Sequence, residues 1–365
     1  MKFLFVGYTG NGQFHDPHEW LFRIRAYLGV LEALARQHTV ISIEQIGYTG
    51  LLKQNGVQYH FIKPVGRYNY FPVRLHRLIK EQAPDIILVH GMEHPLQVIH
   101  LRSTVGNHPK IILQSHSPGL PAGIKSLVQK LAGRFVNAYF FSSKAMGEPW
   151  LQKKLIANPG KLFDVPVGSS VFQPGDKSIA RRKTGMGAER AYLWVGRLDN
   201  NKDPLTVVTA FLEFAETATA VKLYMIFQQD DLLPQLEAML EKNAHRNCVH
   251  MVGHVPHNEM QNWFISADFI ISGSHFEAYG AAVVEGMSCG CIPLVSNIPA
   301  YRMITGNGAC GDLFEPGTLN SLVPVLRRSL KMDLPLEEIK TRIQFDATLS
   351  FQAISQRIAQ IAALL

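Results

Sequence analysis

Two short stretches in the second half of the chain carry residue types suited to holding an anionic, hydroxyl-rich ligand. The first is Trp194-Val195-Gly196-Arg197-Leu198-Asp199-Asn200-Asn201-Lys202-Asp203-Pro204. Arg197 offers a planar fork of donors that matches a phosphate, and Lys202 offers a compact point charge, so two cations on one loop suit a diphosphate. The second runs from His275 through Glu277-Ala278-Tyr279-Gly280-Ala281-Ala282-Val283-Val284-Glu285 to Pro293. Gly280 opens a run of small residues that reads as a helix, which places Glu277 in the loop ahead of it and Glu285 within it. The two carboxylates then serve different parts of one extended ligand, while the N–H groups at the helix start favour an anion. Each stretch also has a plainer reading: a solvated turn with a salt bridge for the first, and a crossover with packing glycines and solvated glutamates for the second.

The elements that must position these residues are legible as apolar runs. Phe3 to Val6, Thr39 to Ile43, Ile86 to Val89, Lys110 to Leu113 and Tyr139 to Ser142 read as buried strands. Between them, Leu21 to Arg36, Pro72 to Gln82 and Gly123 to Asn137 have helical periodicity. From Val165 to Arg190 the chain is rich in Gly, Pro, Ser and charge and reads as an interdomain linker. The alternation then restarts with strands at Ala191 to Val195, Val221 to Phe227, Val249 to Val252, Phe269 to Ser272 and Cys291 to Val295, and helices at Pro204 to Ala215 and Leu232 to Lys242. Strands alternating with helices predict parallel sheets, and here two α/β domains. The first charged loop follows the first strand of the second domain, at the carboxyl end where ligands of open sheets bind. In the last segment Phe351, Ile354, Ile358 and Ile361 form one apolar helical face that must pack on something.

A length of 365 residues fits two domains, and 47% hydrophobic against 18% charged residues excludes a disordered chain. No stretch approaches the ~18 apolar residues of a membrane span, and Phe3 to Val6 is too short for a secretory segment. Cys248, Cys289, Cys291 and Cys310 lack paired metal-ligand spacing, so no metal is expected, and a reducing cytoplasm is the expected compartment. The net charge of +7 divides unevenly. Residues 1–185 hold 23 Lys and Arg against 10 Asp and Glu, a net of +13, and the remainder nets −6. The first half is therefore suited to an anionic partner such as a membrane surface or an acidic substrate.

With the two stretches side by side, the chain resembles the family 4 retaining glycosyltransferases of the GT-B type, known as glycosyl transferases group 1. The resemblance rests on Gly-Arg-Leu-x-x-x-Lys at Gly196 to Lys202 and on E-x7-E at Glu277 to Glu285. It extends through VHMVGHVPHNEMQNWFISADFIISGS, with Gly253, Val255, Ala267 and Asp268, and is strongest from about residue 190 to 318. It implies two Rossmann-like domains facing a central cleft: an acceptor domain at 1–175, joined by a returning C-terminal helix at 348–365, and a nucleotide-sugar donor domain at 185–345.

Residue by residue, the resemblance implies that Arg197 and Lys202 neutralise the diphosphate without a metal or other cofactor. Glu285 holds the ribose, and Glu277 holds the transferred sugar with the backbone of Ala278, Tyr279, Gly280 and Ala281. Gly253, His254 and Val255 border the base. His116, after the strand ending Leu113-Gln114-Ser115, is implied to lie near the reaction centre, and the loop Gly10-Asn11-Gly12 near phosphates and acceptor. The chain departs from relatives in lacking adjacent glycines at that loop, in Val167-Gly168-Ser169-Ser170 where Pro-Asn-Gly is common, and in Gln228-Gln229 for a glycine-rich turn. The expected activity is transfer of a sugar from a nucleoside diphosphate to a hydroxyl acceptor: a glycan, a lipid-linked molecule or a small molecule. Alternatives are an epimerase or hydrolase of nucleotide sugars, which would need its own acid and base carboxylates, or a non-catalytic nucleotide-sugar-binding subunit.

The positive first half fits an acceptor side. Lys125, Lys130 and Arg134 interleave with Leu127, Val128, Leu131 and Phe135 as in a basic amphipathic helix, with Arg74, Arg77 and Lys80 adding a second stripe. Peripheral contact with anionic lipid on the inner face of the membrane is one reading, and a solvated helix face is the other. Nucleic acid is not expected, because no recognised binding module accompanies the charge.

Overall fold

A computed structural model describes residues 1–64, 69–116, 119–187 and 189–365. The chain divides into two compact units, Met1–Ser169 with Phe351–Leu365, and Ser170–Ser350.

The first unit is built on strands β1 (Lys2–Gly7), β2 (Thr39–Gln45), β3 (Gly50–Gln54), β4 (Val57–Ile62), β5 (Ile86–His90), β6 (Lys110–Gln114), β7 (Ala138–Phe141) and β8 (Leu162–Asp164). Their order in the sheet is β3-β4-β2-β1-β5-β6-β7-β8, and every neighbouring pair is parallel except β3 with β4. Alternation along β1 sends Phe3 and Phe5 into the core on one face and Leu4 and Val6 into the core on the other. A strand buried on both faces must read as a continuous apolar run, which is why β1, β2, β5, β6 and β7 are legible in the sequence, whereas β3 and β4, whose burial alternates, and the short β8 are not among the strands it predicts.

The second unit is an all-parallel sheet of β9 (Arg190–Gly196), β10 (Val221–Phe227), β11 (Val249–Gly253), β12 (Phe269–Ser272), β13 (Ile292–Ser296) and β14 (Asp312–Phe314). Its order is β11-β10-β9-β12-β13-β14. Tyr192 and Trp194 of β9 serve one core, and Ala191 and Leu193 the other. The strand order reverses between β9 and β12, so the loops leaving these two strands part and open a crevice at their carboxyl ends.

Several elements differ from the sequence reading. The helix expected over Leu21 to Arg36 is two helices, Pro17–Arg23 and Arg25–Ala35, interrupted at Ile24. The first begins earlier because Asp16 caps it from ahead of Pro17. The hairpin of β3 and β4 turns on Asn55 and Gly56, both at positive φ (48° and 84°), the geometry a two-residue Asn-Gly turn supplies. The run read as a linker contains the helix Lys177–Thr184, capped by Asp176 and ended by left-handed Gly185. Lys177 and Arg181 bind Asp268, so this helix belongs to the second unit; Ala188 in the same run lies outside the described residues. The helix read at Gly123 to Asn137 is α-helical only over Ile124–Ala132. Among the described residues no helix is long and apolar enough to cross a membrane.

The C-terminal helix Phe351–Leu364 buries Ile354, Ile358 and Ile361 in the first unit's core. Gly29 makes room for it: a Cβ there would lie 2.6 Å from the Phe351 ring. Truncating Ile358 to Ala is expected to destabilise the protein by about 2–5 kcal/mol, the usual range for such a cavity, read as a lower urea midpoint at unchanged slope.

Candidate functional site

The polar residues of the second unit gather at the reversal between β9 and β12. The loop after β9 is held by its own side chains: Asp199 Oδ1 accepts from the Lys202 N–H at 2.9 Å, and Asp199 Oδ2 pairs with Arg197 Nε at 3.0 Å. Asp203 sits at φ +47° and caps the helix Pro204–Ala215, while its other carboxylate oxygen lies 3.3 Å from His275 Nε2. Asn201 stitches this loop to the one after β12, accepting from the Phe276 N–H at 3.1 Å and donating to the Phe276 carbonyl at 3.1 Å.

This stitching brings Lys202 to Glu277. The Lys202 ammonium pairs with Glu277 Oε1, and the same oxygen accepts from Ser274 Oγ at 2.8 Å and the Tyr301 hydroxyl at 3.2 Å. Tyr301 is anchored in turn by Ser272 Oγ at 2.7 Å. Burial and the neighbouring Glu277 carboxylate push the Tyr301 phenol far above its usual range, so it stays a neutral donor. Glu277 is thus an oriented carboxylate, with one oxygen held by a cation and two hydroxyls.

Directly after it, Gly280 adopts φ +76° and opens the helix Ala281–Ser288, whose start has no side-chain cap. The first N–H groups of an α-helix have no partner inside it, so they face outward with the positive end of the dipole. Glu285 on the same helix lies 3.1 Å from His257 Nε2, and His257 stacks on Phe172 with ring centroids 4.9 Å apart. This contact ties the loop after β11 to the helix. Gly253 ends β11 at φ +80°, His254 is exposed and Val255 is buried. The Tyr279 hydroxyl is buried without a partner among the described residues, and burial, with Glu285 adding, raises it well above its usual range.

The sequence reading named Arg197, Lys202, Glu277, Tyr279, Gly280 and Glu285, and the fold collects them at adjacent strand ends. It treated Lys202 and Glu277 as contacts to separate ligand groups, whereas they pair with each other; Arg197 is engaged by Asp199 and more than half exposed. It missed Asn201, Ser274, Tyr301 and His257. Nothing local marks Tyr301 or Ser274, whose roles arise only from the neighbourhood of β12 and β13.

In the first unit, the Asn11 N–H donates to the Gln45 carbonyl at 2.9 Å, and a Cβ on Gly10 would lie 2.6 Å from Gln45 Cβ. Gly10 is therefore small because the loop lies against the end of β2. His116 follows β6 and is exposed, with its Nε2 3.0 Å from Nδ1 of His90 at the end of β5. His90, which the sequence reading did not single out, also contacts the Tyr27 hydroxyl at 2.7 Å. Burial, with His116 adding, holds its pKa down to about 3.

The family model for glycosyl transferases group 1 matches residues 176–344, which span this whole polar cluster. These residues are a glycosyl transferases group 1 domain. The domain's curated relatives include the D-inositol 3-phosphate glycosyltransferase of Thermobispora bispora, 24% identical over 62% of this chain and 53% of the relative. Another is O-antigen chain mannosyltransferase B of Escherichia coli, 22% identical over 39% and 37%. The chain spans about half the length, or less, of the curated relatives it matches. Among solved structures, HepE of Anabaena in complex with UDP superposes with a TM-score of 0.73 at 15% identity, over 100% of both chains. Sucrose-phosphate synthase from Thermosynechococcus elongatus follows at 0.69 and 16%, over 100% of this chain and 98% of that one. The glycosyl transferases group 1 domain thus sits in a chain of GT-B fold, with two Rossmann-like units.

Gly280→Ala tests the local geometry of this domain. Alanine at positive φ is strained by about 1–3 kcal/mol, and the added methyl would lie 2.6 Å from Tyr301 Cε1. The variant is expected to unfold at lower denaturant than the parent.

Proposed function

We propose that the protein is a retaining glycosyltransferase that moves a sugar from a nucleoside diphosphate to a hydroxyl acceptor without a metal ion. The observation that carries this reading is the Lys202–Glu277 pair at the strand reversal, next to an uncapped helix start. Cleavage of the anomeric C–O bond builds negative charge on the departing diphosphate. Fixed cations and helix N–H groups stabilise that charge most where it is greatest, in the transition state. Lys202 and Arg197 supply the cations, with Arg197 exchanging Asp199 for phosphate. Glu277, with one oxygen held by Lys202, Ser274 and Tyr301, turns the other toward hydroxyls of the transferred sugar. Glu285, steadied by His257, accepts from the ribose, and Gly253, His254 and Val255 border the base.

Retention follows if the acceptor attacks from the face the diphosphate leaves, with a phosphate oxygen taking the acceptor proton; no protein nucleophile is then required. HepE was solved with UDP and with UDP-glucose, which makes UDP-hexoses the first donors to try. The acceptor belongs to the basic first unit. There the helix Ile124–Ala132 exposes Ile124 (81%), Leu127 (66%) and Leu131 (44%) beside Lys125 and Lys130, a face suited to anionic lipid at the inner membrane surface and to a lipid-linked acceptor.

With a cognate donor, Glu277→Ala and Lys202→Met are each expected to lower kcat/KM by roughly 10²–10³-fold, the range for losing one transition-state contact. Chelator is expected to leave turnover unchanged, and the product anomer, read by NMR, to match the donor. Full activity of Glu277→Ala, or turnover abolished by chelator, would remove the assignment. Flotation with anionic vesicles at low salt, lost in Lys125→Glu/Lys130→Glu, checks the lipid-facing helix.

A further inference from the structure

One helix of the second unit is apolar on two opposite faces. This helix, Leu334–Thr348, is capped by Asp333 and buries Thr341 and Phe345 on its inner face, the latter in the core. Arg342 reinforces that seat by donating to the Ser288 carbonyl, and Gln344 Nε2 donates to the Ile304 carbonyl at 3.2 Å. At about 100° per residue, Leu336, Ile339 and Ile343 fall within about 60° of one another on the far side. They are 49%, 56% and 64% exposed. A surface helix ordinarily gives that side to polar and charged residues. Three large apolar side chains at i, i+3 and i+7 have instead the spacing of a helix–helix seam.

The charges beside the stripe decide what covers it. Asp333, Glu337, Glu338 and Asp346 outnumber Lys340 and Arg342, a balance that does not suit an anionic lipid surface. One flank is ordered along the helix, with Asp333 and Glu337 toward the start and Lys340 after them. Within the chain Lys340 Nζ donates to Glu337 Oε1 at 2.7 Å. The other flank holds Arg342 and Asp346, paired at 3.4 Å. A two-fold axis through the middle of the stripe turns a second copy end for end, so that each flank meets itself reversed. The acidic end of the first flank then lies against Lys340 of the other copy, Leu336 lies toward Ile343, and the two helix dipoles oppose.

We infer that the outer face of the helix Leu334–Thr348 is a self-association surface, covered by the same helix of a second copy running antiparallel across a two-fold axis. Three side chains and their flanks make a patch smaller than the roughly 1,200–2,000 Å² of a standard stable interface, so the dimer forms and dissociates with concentration. The surface shares no residue with the polar site at the strand reversal, and the inference stands apart from the glycosyl-transfer reading.

Analytical ultracentrifugation of the full chain from about 1 μM to about 1 mM tests the pairing. The wild type is expected to pass from monomer to dimer over that range, while Ile339→Asp/Ile343→Asp stays monomeric throughout. Both side chains are exposed in the single chain, so the thermal midpoint of the dilute variant is expected to match that of the wild type, which separates lost pairing from lost folding. Lys340→Glu and Glu337→Lys are each expected to weaken the dimer. An equimolar mixture of the two is expected to recover it, since each new charge then faces its opposite on the other copy. A wild type still monomeric at about 1 mM overturns the inference, as does a dimer that survives Ile339→Asp/Ile343→Asp. A mixture no more associated than its two components overturns the antiparallel arrangement.

Discussion

The polar site of the second unit depends on the direct pairing of β9 with β12. These strands are distant in sequence and adjacent in space, with Tyr192, Leu193 and Trp194 in register with Phe269, Ile270 and Ile271. Because all strands of this sheet are parallel, both end at the same edge, and because the strand order reverses between them, their following loops diverge around a crevice. Lys202 and Glu277 are thereby brought within one ion pair although 75 residues separate them. A largely buried carboxylate without that ammonium would be strongly disfavoured, so the pair stabilises the loops as well as the charge pattern.

The same arrangement explains why the site is built from two kinds of group. The loops supply formal charge from Arg197, Lys202 and Glu277, and the helix that begins at Gly280 supplies backbone dipoles. Gly280 makes the junction possible: it turns through left-handed space and leaves no Cβ to strike Tyr301, which in turn holds Glu277. Hydroxyls of Ser272, Ser274 and Tyr301 complete the support without adding charge. The result is a carboxylate whose orientation is set before any ligand arrives, the condition under which electrostatic stabilisation is most effective.

The first unit solves a different problem. Its strands β1 and β5 mark the same kind of reversal, and the groups there are histidines and hydroxyls instead of an ion pair.

The sequence by itself determined the central strands, because segments buried on both faces must be continuously apolar, and it marked the two charged loops by residue type, Arg197 and Lys202 in one and Glu277 ahead of the helix that carries Glu285 in the other. The Asn55-Gly56 turn and the caps at Asp16 and Asp176 are equally local signals, carried by two to four residues each, yet the sequence reading used none of them. Treating residues 165–190 as one linker overlooked the last of these, since a short charged helix shows little apolar periodicity until Ala180 and the contacts of Lys177 and Arg181 with Asp268 are in place. What only the tertiary structure decided was partnership. That Lys202 faces Glu277, that Tyr301 and Ser274 share one of its oxygens, and that His90 stands between Tyr27 and His116 follow from strand order. Strand order is set by how whole sheets bury their faces, a sum over many residues that no short stretch of sequence contains.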